Sequence, residues 1–281
     1  MMMENWFQQL RGDTVVVKFG GNAMISDALA RAFCEDIVAL RDAGIRVVVT
    51  HGGGPQISSE LVAQGIPSEF RGGLRVTSAA AVDVVREVLA RIGAELAAHV
   101  TAAGGVATAI AGAEQGLFTA RKTGTVVNGE PVDLGQVGEV RSVTANPVDA
   151  VLDAGGIPVV SAIAREGASG ILLNVNADSA AGALAAALGA RWLVLLTDVS
   201  GLYRNWPRNP SLITAIDARE VEALLPQLDS GMIPKVTAAR DAVLGGVSRV
   251  AIVDGRVPHL LVSEPFGASG TIVSAAERTA P

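Results

Sequence analysis

The stretch Val15-Val16-Val17-Lys18-Phe19-Gly20-Gly21-Asn22 decides the fold, because a short β-branched strand runs directly into paired glycines. A second stretch, Val47-Val48-Val49-Thr50-His51-Gly52-Gly53-Gly54, repeats the pattern further along the chain. Glycine lets backbone N–H groups approach an anion without a Cβ in the way, and the N-terminus of a following helix favours negative charge. Two such junctions, one of them carrying Lys18, predict a phosphoryl-binding site. Within the second, His51 is either a phosphate ligand or a hydrogen-bonded structural residue.

Strand and helix signals alternate along most of the chain. Apolar residues at Val82, Val85, Leu89, Ile92 and Leu96 predict a long helix whose seam faces either the sheet or a partner subunit. A shorter helix is expected from Leu29 to Leu40 with Asp27 as its N-cap, and a hairpin insertion over residues 117–143 that could form a lid. The predicted strands are Thr14–Lys18, Ile45–Thr50, Val106–Ala111, Ile157–Ser161, Trp192–Thr197 and Arg249–Val253. The alternation favours an α/β fold, an open three-layer αβα sandwich with a mostly parallel central sheet.

Composition excludes several classes of protein. The 281 residues carry a formal net charge of −6, which argues against a nucleic-acid-binding surface. A single cysteine, Cys34, excludes an internal disulfide framework, and three dispersed histidines do not suggest a metal site formed by side chains. No apolar run is long enough for a membrane span, and the first residues lack the pattern of a signal peptide. We therefore expect a cytoplasmic protein that does not bind membranes.

Four further segments carry side chains suited to chemistry. Arg75 could grip a carboxylate bidentately just before a helix, and Lys235 is expected in the first turn of another. Neither a Walker sequence nor a Gly-x-Gly-x-x-Gly fingerprint occurs, so a phosphotransferase would have to build its site differently. The segments are Gly73-Leu74-Arg75-Val76-Thr77, Asn174-Val175-Asn176-Ala177-Asp178, Thr197-Asp198-Val199-Ser200-Gly201-Leu202 and Gly231-Met232-Ile233-Pro234-Lys235.

These six segments, in this order, resemble the amino acid kinase family, and within it the N-acetyl-L-glutamate kinases, from about Val15 to Ser263. The resemblance implies transfer of the ATP γ-phosphoryl group to the side-chain carboxylate of N-acetyl-L-glutamate, a step of arginine biosynthesis. It also implies an N-terminal lobe for the amino acid over residues 1–172 and a C-terminal lobe for ATP over residues 173–281. Mg²⁺ would be held mainly by ATP phosphates and water.

The resemblance also assigns roles to individual residues. Lys18 and Lys235 match the family's two catalytic lysines, and Asp178 matches the aspartate that orients both. Arg75 would bind the α-carboxylate of the substrate. The remaining substrate-binding residues are Gly53, Gly54 and Asn174, and the residues assigned to the phosphoryl group or nucleotide are Gly20, Gly21, Asp198 and Gly231.

The family resemblance leaves three questions open. The acceptor could instead be an aminoadipate on an acidic carrier protein, for which the basic pair Arg121-Lys122 would be suited. Alternatively, the chain could be a catalytically silent regulatory paralogue.

The resemblance implies a homodimer or a hexamer. Trp6 and Leu10 share one face of a short N-terminal helix that could bridge dimers or fold onto its own lobe. By analogy with the family alone, an acidic signalling protein of the PII type is a further expected partner. The segment Glu264–Thr271 is shorter than in arginine-inhibited members and carries Pro265, which leaves arginine inhibition open.

Overall fold

A computed structural model describes residues 6, 8–20, 24, 26–127, 129–204, 210–228 and 231–275. In chain order its strands are β1 (Thr14–Phe19), β2 (Arg46–His51), β3 (Phe70–Arg71), β4 (Leu74–Arg75), β5 (Ala107–Ala111), β6 (Phe118–Lys122), β7 (Thr125–Val127), β8 (Glu130–Val132), β9 (Val137–Val143), β10 (Ile157–Ser161), β11 (Ile163–Glu166), β12 (Leu172–Val175), β13 (Trp192–Thr197), β14 (Leu202–Arg204), β15 (Ser211–Ile213), β16 (Ala215–Asp217), β17 (Arg249–Asp254) and β18 (Thr271–Ser274). The helices are α1 (Asp27–Asp42), α2 (Gly54–Ala63), α3 (Ala79–Ala102), α4 (Asn146–Asp153), α5 (Ala177–Ala187), α6 (Val221–Leu224), α7 (Ile233–Leu244) and α8 (Leu260–Ser263).

An eight-stranded central sheet organises the chain, with the strand order β16-β18-β17-β13-β1-β2-β10-β5. Every neighbouring pair in it is parallel except β17 and β18. The β-branched run of β1 lies in the middle, where Val16 pairs with Val48 on one side and Leu193 on the other. Such runs are typical of parallel strands covered on both faces. The predicted mostly parallel sheet is therefore confirmed.

Helices cover both faces of the sheet and make the three predicted layers. Val15 and Val17 of β1 belong to a core shared with α1, α2 and α3, whereas Val16 belongs to a second core shared with α4, α5 and α7. The alternation follows from the two-residue period of a strand. The apolar seam of α3 is buried within the chain's own core, so it faces the sheet, the first of the two alternatives.

The insertion after β5 contributes β6 and β9 to a small closed barrel that β11 and β12, which follow β10, complete. The hairpin β7–β8 connects β6 to β9. The sequence pattern of residues 117–143 predicts short strands at Leu117–Ala120, Thr125–Val127 and Gly135–Val140. The second has the observed bounds, and the other two begin and end one to three residues too early. Arg121 and Lys122 are exposed on a strand of this barrel, and Lys122 Nζ lies 3.4 Å from Asp133. A lid role for the insertion stays a prediction.

The start of α1 differs from the prediction. Ser26, not Asp27, is the N-cap, because its backbone is extended and its hydroxyl accepts from Leu29 N at 3.4 Å. Asp27 is instead the first helical residue, where its charge favours the helix dipole.

The described N-terminal residues pack on their own chain. Trp6 meets Phe266 edge to face at 4.8 Å between ring centroids, and Leu10 is buried in the core. These contacts lie within this chain, and a role in bridging dimers stays a prediction. Cys34 is also a core residue, where burial raises the pKa of its thiol to about 12. Among the described residues, no helix combines the length and apolarity that crossing a bilayer requires.

Candidate functional site

The predicted site residues converge at one edge of the sheet, where the parallel strands end. Gly20 follows β1, Gly52 follows β2 and Ala162 follows β10, and all three line a cavity of about 260 Å³. In open α/β sheets this carboxyl edge is where ligands bind. Lys18, Gly53, Gly54, Arg75, Asn174 and Asp178 line the same cavity, so the structure brings these predicted residues together.

Two lysines from distant segments share one carboxylate beside this cavity. Lys18 Nζ lies 2.9 Å from Asp178 Oδ1, and Lys235 Nζ lies 3.0 Å from Asp178 Oδ2. Asp178 is placed by the start of α5, whose N-cap Asn176 accepts from Ser179 N at 2.9 Å. Lys235 stands in the first turn of α7. This Lys18–Asp178–Lys235 bridge holds both ammonium groups at the carboxyl edge of the sheet.

The Asp178 carboxylate is an anion at any working pH. Burial alone would raise the pKa of Asp178, but the charges and hydrogen bonds of Lys18 and Lys235 outweigh it and lower the pKa to about 2. A buried charge is tolerated only when it is paired, and here each oxygen faces a lysine. The bridge therefore carries one surplus positive charge, which suits it to a phosphate rather than to a cation.

Gly20 leaves the space through which the Lys18 side chain passes. A methyl group at Gly20 would lie 2.7 Å from Lys18 Nζ and 2.9 Å from its Cε, and the backbone of Gly20 is not in the left-handed region. We expect Gly20→Ala to fold normally and to lower kcat by at least about tenfold, because Lys18 must move away from Asp178. Steady-state kinetics and a melting curve check this. An unchanged kcat would show that the position of Lys18 does not limit turnover.

Arg75 is a buried cation that no carboxylate of the described residues neutralises. Its side chain is 6% exposed, and no carboxylate in the described part of the chain lies within ion-pairing distance. Its Nη2 donates to Gly54 O and Ser58 Oγ, both at 2.9 Å, and its Nη1 donates to Ser68 Oγ. Burial lowers the pKa of Arg75, because removing a cation from water without a charged partner is unfavourable. A carboxylate in the cavity would supply that partner.

Phe70 and Thr77 help to hold Arg75 in place, and the sequence predicts no role for either. The Phe70 ring lies 4.5 Å from the guanidinium carbon, although the Phe70 side chain is 54% exposed. Asn174 Nδ2 donates to Thr77 Oγ1 at 3.2 Å, and Thr77 Oγ1 donates to Arg75 O at 3.0 Å. Thr77 belongs to the predicted segment Gly73-Leu74-Arg75-Val76-Thr77, whereas Phe70 carries no recognisable signal in a single sequence.

The second glycine loop offers free amide groups to the cavity. The N–H groups of Gly53 and Gly54 donate to no acceptor among the described residues. They lie at the start of α2, which has Pro55 in its first turn and no side-chain cap. An uncapped helix N-terminus with free N–H groups is a ready anion site.

His51 lies behind this loop and does not line the cavity. It is fully buried, and its Nδ1 lies 3.0 Å from Gly52 O. Burial lowers the pKa of His51 to about 4, against the smaller opposing effect of this hydrogen bond. The imidazole is therefore a neutral structural residue, the second of its two predicted roles.

Acid should destabilise the protein through His51. A group whose folded pKa is depressed contributes stability above its unfolded pKa, and that contribution is lost as the pH falls towards the folded value. For His51 the window runs from pH 6.5 to about 4, and the loss is on the order of 3 kcal/mol. Urea unfolding at pH 7 and pH 4.5 should show a larger decrease for the wild type than for His51→Asn. Equal decreases would mean that His51 is charged in the folded protein.

A second cleft of about 260 Å³ lies at the same sheet edge, after β13. It is lined by Val199, Ser200, Gly201, Leu202, Tyr203, Gln227, Leu228, Met232 and Arg256. Asp198 and Gly231 are exposed and do not line it, although the residues that follow each of them do. The structure thus places these two predicted nucleotide residues beside the cleft. Gly21 lies outside the described residues.

The described residues form no cluster of three or more histidine, cysteine, aspartate or glutamate side chains that could hold a metal ion. Asp178, the acidic group that lines the cavity, faces lysines with both of its oxygens. Mg²⁺ commonly keeps several waters and binds through substrate phosphates rather than through a protein cage. The site therefore fits Mg²⁺ only as an ion carried by a phosphate ligand.

Comparisons with known proteins bear on this geometry. The model of the amino acid kinase family matches residues 13–254. An acetylglutamate kinase from Arthrobacter sp. (strain FB24) is 52% identical over 271 residues, covering 94% of this chain and 87% of that protein. One from Saccharopolyspora erythraea is 55% identical over 269 residues, covering 94% of this chain and 88% of that protein. The sequence resemblance is confirmed.

Two solved structures are similar in fold. N-acetylglutamate synthase from Neisseria gonorrhoeae, complexed with coenzyme A and N-acetyl-glutamate, matches with a TM-score of 0.82 and 26% identity over 97% of this chain. This chain spans 62% of that synthase. Carbamate kinase from Giardia lamblia bound to AMP-PNP matches with a TM-score of 0.68 and 21% identity, over 94% of this chain and 98% of the kinase. The second likeness shows the fold alone.

Proposed function

Because the chain belongs to the amino acid kinase family, we propose that it transfers the γ-phosphoryl group of ATP to the side-chain carboxylate of N-acetyl-L-glutamate. The observation that carries the proposal is the Lys18–Asp178–Lys235 bridge beside a cavity that also holds the uncompensated cation Arg75. One end of the cavity thus suits a phosphate and the other a carboxylate. Relatives named acetylglutamate kinase, at 51–55% identity, support this choice of acceptor.

The acceptor is held through its α-carboxylate. Arg75 is fixed by Gly54, Ser58 and Phe70, so its fork is already oriented before a ligand arrives. A bidentate pair with a carboxylate adds geometric specificity as well as energy. Asn174 lies at the same end of the cavity and would hydrogen-bond the amino-acid portion. The side-chain carboxylate is thereby directed towards the lysines.

The transfer needs alignment and charge neutralisation rather than a general base. An oxygen of the side-chain carboxylate forms a bond to the γ-phosphorus, and the bond from that phosphorus to the β–γ bridging oxygen breaks. The electron pair leaves on ADP and no proton moves, because the attacking carboxylate is already ionised. Lys18 and Lys235 stabilise the negative charge on the transferring group and the leaving oxygen. Free N–H groups of Gly53 and Gly54 add hydrogen bonds to the same oxygens.

ATP would occupy the second cleft, with its phosphates directed towards the bridge. Mg²⁺ bound to those phosphates supplies further neutralisation of their charge. The strands β1, β2, β5 and β10 come from residues before 173, and β13, β16, β17 and β18 come from residues after it. This supports a division into an amino-acid lobe (1–172) and a nucleotide lobe (173–281).

Trapping the product with hydroxylamine tests the proposal. The purified chain would be offered ATP and Mg²⁺ with N-acetylglutamate, glutamate, aspartate, N-acetylaspartate or N-acetyl-aminoadipate, and hydroxamate formation would be measured. Turnover of N-acetylglutamate well above the others is expected. No hydroxamate from N-acetylglutamate, with ATP still bound, would refute the acceptor assignment and leave the fold unaffected. Preferred turnover of N-acetyl-aminoadipate would instead support the aminoadipate alternative.

A further inference from the structure

The imidazole of the buried His51 makes one hydrogen bond among the described residues, and that bond is to the glycine loop. His51 ends β2, is fully buried, and places Nδ1 3.0 Å from the carbonyl oxygen of Gly52. A carbonyl oxygen only accepts, so the contact requires the proton on Nδ1. The opposite nitrogen, Nε2, is buried without a hydrogen-bond partner among the described residues. The ring is therefore a neutral Nδ1–H tautomer with a single directional contact.

That contact fixes a peptide plane at the edge of the cavity. The carbonyl of Gly52 and the N–H of Gly53 belong to the same peptide group, and in a trans peptide they point in opposite directions. Holding the carbonyl towards the buried ring turns the Gly53 N–H away from the core. Gly53 lines the cavity, and its N–H has no acceptor among the described residues.

Close packing against α3 restricts the position of the glycine loop around Gly53. A methyl group at Gly53 would lie 2.6 Å from Ile92 Cδ1, so the backbone is pressed against α3. On the other side, a methyl group at Gly93 of α3 would lie 3.1 Å from His51 Nε2. The imidazole thus fills the gap between α3 and the loop, and its height above the helix sets where the Gly52 carbonyl sits.

We infer that His51 is a positioning residue for phosphoryl transfer, which acts through the Gly52–Gly53 peptide by aiming the Gly53 N–H at the transferring phosphoryl group. The inference rests on the proposed function for the identity of that group. A preoriented backbone donor stabilises a transition-state oxyanion without reorganisation at the moment of reaction. The imidazole itself touches no substrate, because it does not line the cavity.

A pair of amide substitutions separates orientation of the peptide from simple filling of the core. In His51→Asn, the amide nitrogen Nδ2 stands at the same number of bonds from Cβ as the Nδ1 of histidine, so the donor to Gly52 O is retained. In His51→Gln, the amide nitrogen matches Nε2 instead, and the donor is lost. Both variants are neutral and polar. His99→Asn, at an exposed position of α3, is the matched control.

We expect His51→Gln to lower kcat by about 10²-fold, since loss of one oxyanion donor costs 10²–10³-fold. The KM for N-acetylglutamate should stay within about threefold of wild type, because Arg75 is unaffected. His51→Asn should keep kcat within about fivefold, and His99→Asn should match wild type. Melting temperatures identify any variant that fails to fold. Equal losses in His51→Asn and His51→Gln, or no loss in His51→Gln, would overturn the inference.

A second measurement does not depend on turnover. The ¹⁵N spectrum of the imidazoles, with His51 assigned by its absence in His51→Asn, reports which ring nitrogen carries the proton. A neutral Nδ1–H tautomer at pH 7 is expected, and an Nε2–H tautomer would overturn the inference even in an active enzyme. If the wild type did not phosphorylate N-acetylglutamate, the proposed function would fail, and the tautomer would still decide whether His51 anchors Gly52.

Discussion

Replacing Asp178 by asparagine should lower kcat by about 10³-fold, the largest effect expected of any single substitution in this chain. Asp178 holds Lys18 at 2.9 Å and Lys235 at 3.0 Å, and its charge is what keeps the two ammonium groups together. A neutral amide cannot offset two lysines, so they would repel each other and leave the line of transfer. Loss of alignment and of transition-state stabilisation then combine. Steady-state kinetics with saturating ATP and N-acetylglutamate measure the effect.

Two controls make the Asp178 result specific. Asp153→Asn removes an exposed carboxylate whose 2.8 Å pair with Arg46 lies on the surface, and it should leave kcat unchanged. A circular dichroism spectrum and melting curve of Asp178→Asn show whether the protein still folds, because breaking a buried ion pair is destabilising. Turnover within about tenfold of wild type, in a folded Asp178→Asn protein, would mean that the bridge does not organise the reaction.

Arg75→Ala should raise the KM for N-acetylglutamate by about 10²-fold or more, the second largest expected effect. The guanidinium is buried, lacks a carboxylate partner in the described chain, and is fixed by Gly54 and Ser58 before any ligand binds. Removing one member of a desolvated charge pair costs about 2–5 kcal/mol. The KM for ATP should change little, because the nucleotide cleft lies elsewhere on the sheet edge. Kinetics with each substrate varied in turn separate the two constants.

Arg71→Ala provides the comparison for Arg75→Ala. Arg71 lies on the same β3–β4 hairpin, but it is exposed and faces Glu69. Its loss should leave both KM values near wild type. Arg75→Lys, which keeps the charge without the planar fork, should fall between wild type and Arg75→Ala. An unchanged KM for N-acetylglutamate in Arg75→Ala would remove Arg75 from acceptor binding.

The central sheet could be predicted because the local sequence of each of these strands is sufficient to identify it. Ile157–Ser161 and Trp192–Thr197 have the predicted bounds, and the other four predicted strands differ from the observed ones by one residue at one or both ends. Each is a short apolar run that glycine or polar residues bound, which is the signal of a strand buried on both faces. The parallel arrangement followed from the helices between them.

The shorter strands were not predicted, for a physical reason. β11, β12, β14, β15, β16 and β18 have only three or four residues each, and such segments are too brief to show a period. They become strands only through their pairing partners, as β12 pairs with the preceding β11 and with the more distant β9 in the barrel. The antiparallel β18 is defined in the same way, by its pairing with β17.

The candidate site also contains residues that local sequence could predict and residues that it could not. Lys18, Asp178, Lys235 and Arg75 were predicted because they stand in recognisable segments, and the resemblance supplied roles that spacing alone could not. Phe70 and Ser58 were not predicted, since their contribution exists only once Arg75 has folded between them. The homodimer or hexamer and the PII-type regulator stay predictions.

The origin of the oxygen that bonds to phosphorus shows whether the side-chain carboxylate of N-acetylglutamate is the phosphoryl acceptor. N-acetylglutamate labelled with ¹⁸O in its side-chain carboxylate would be turned over with unlabelled ATP, and the acyl phosphate cleaved by hydroxylamine at its carbonyl carbon. We expect inorganic phosphate that carries one ¹⁸O atom from the acceptor, because the carboxylate oxygen itself attacks the γ-phosphorus. Phosphate without label would show that water, and not the carboxylate, accepts the phosphoryl group.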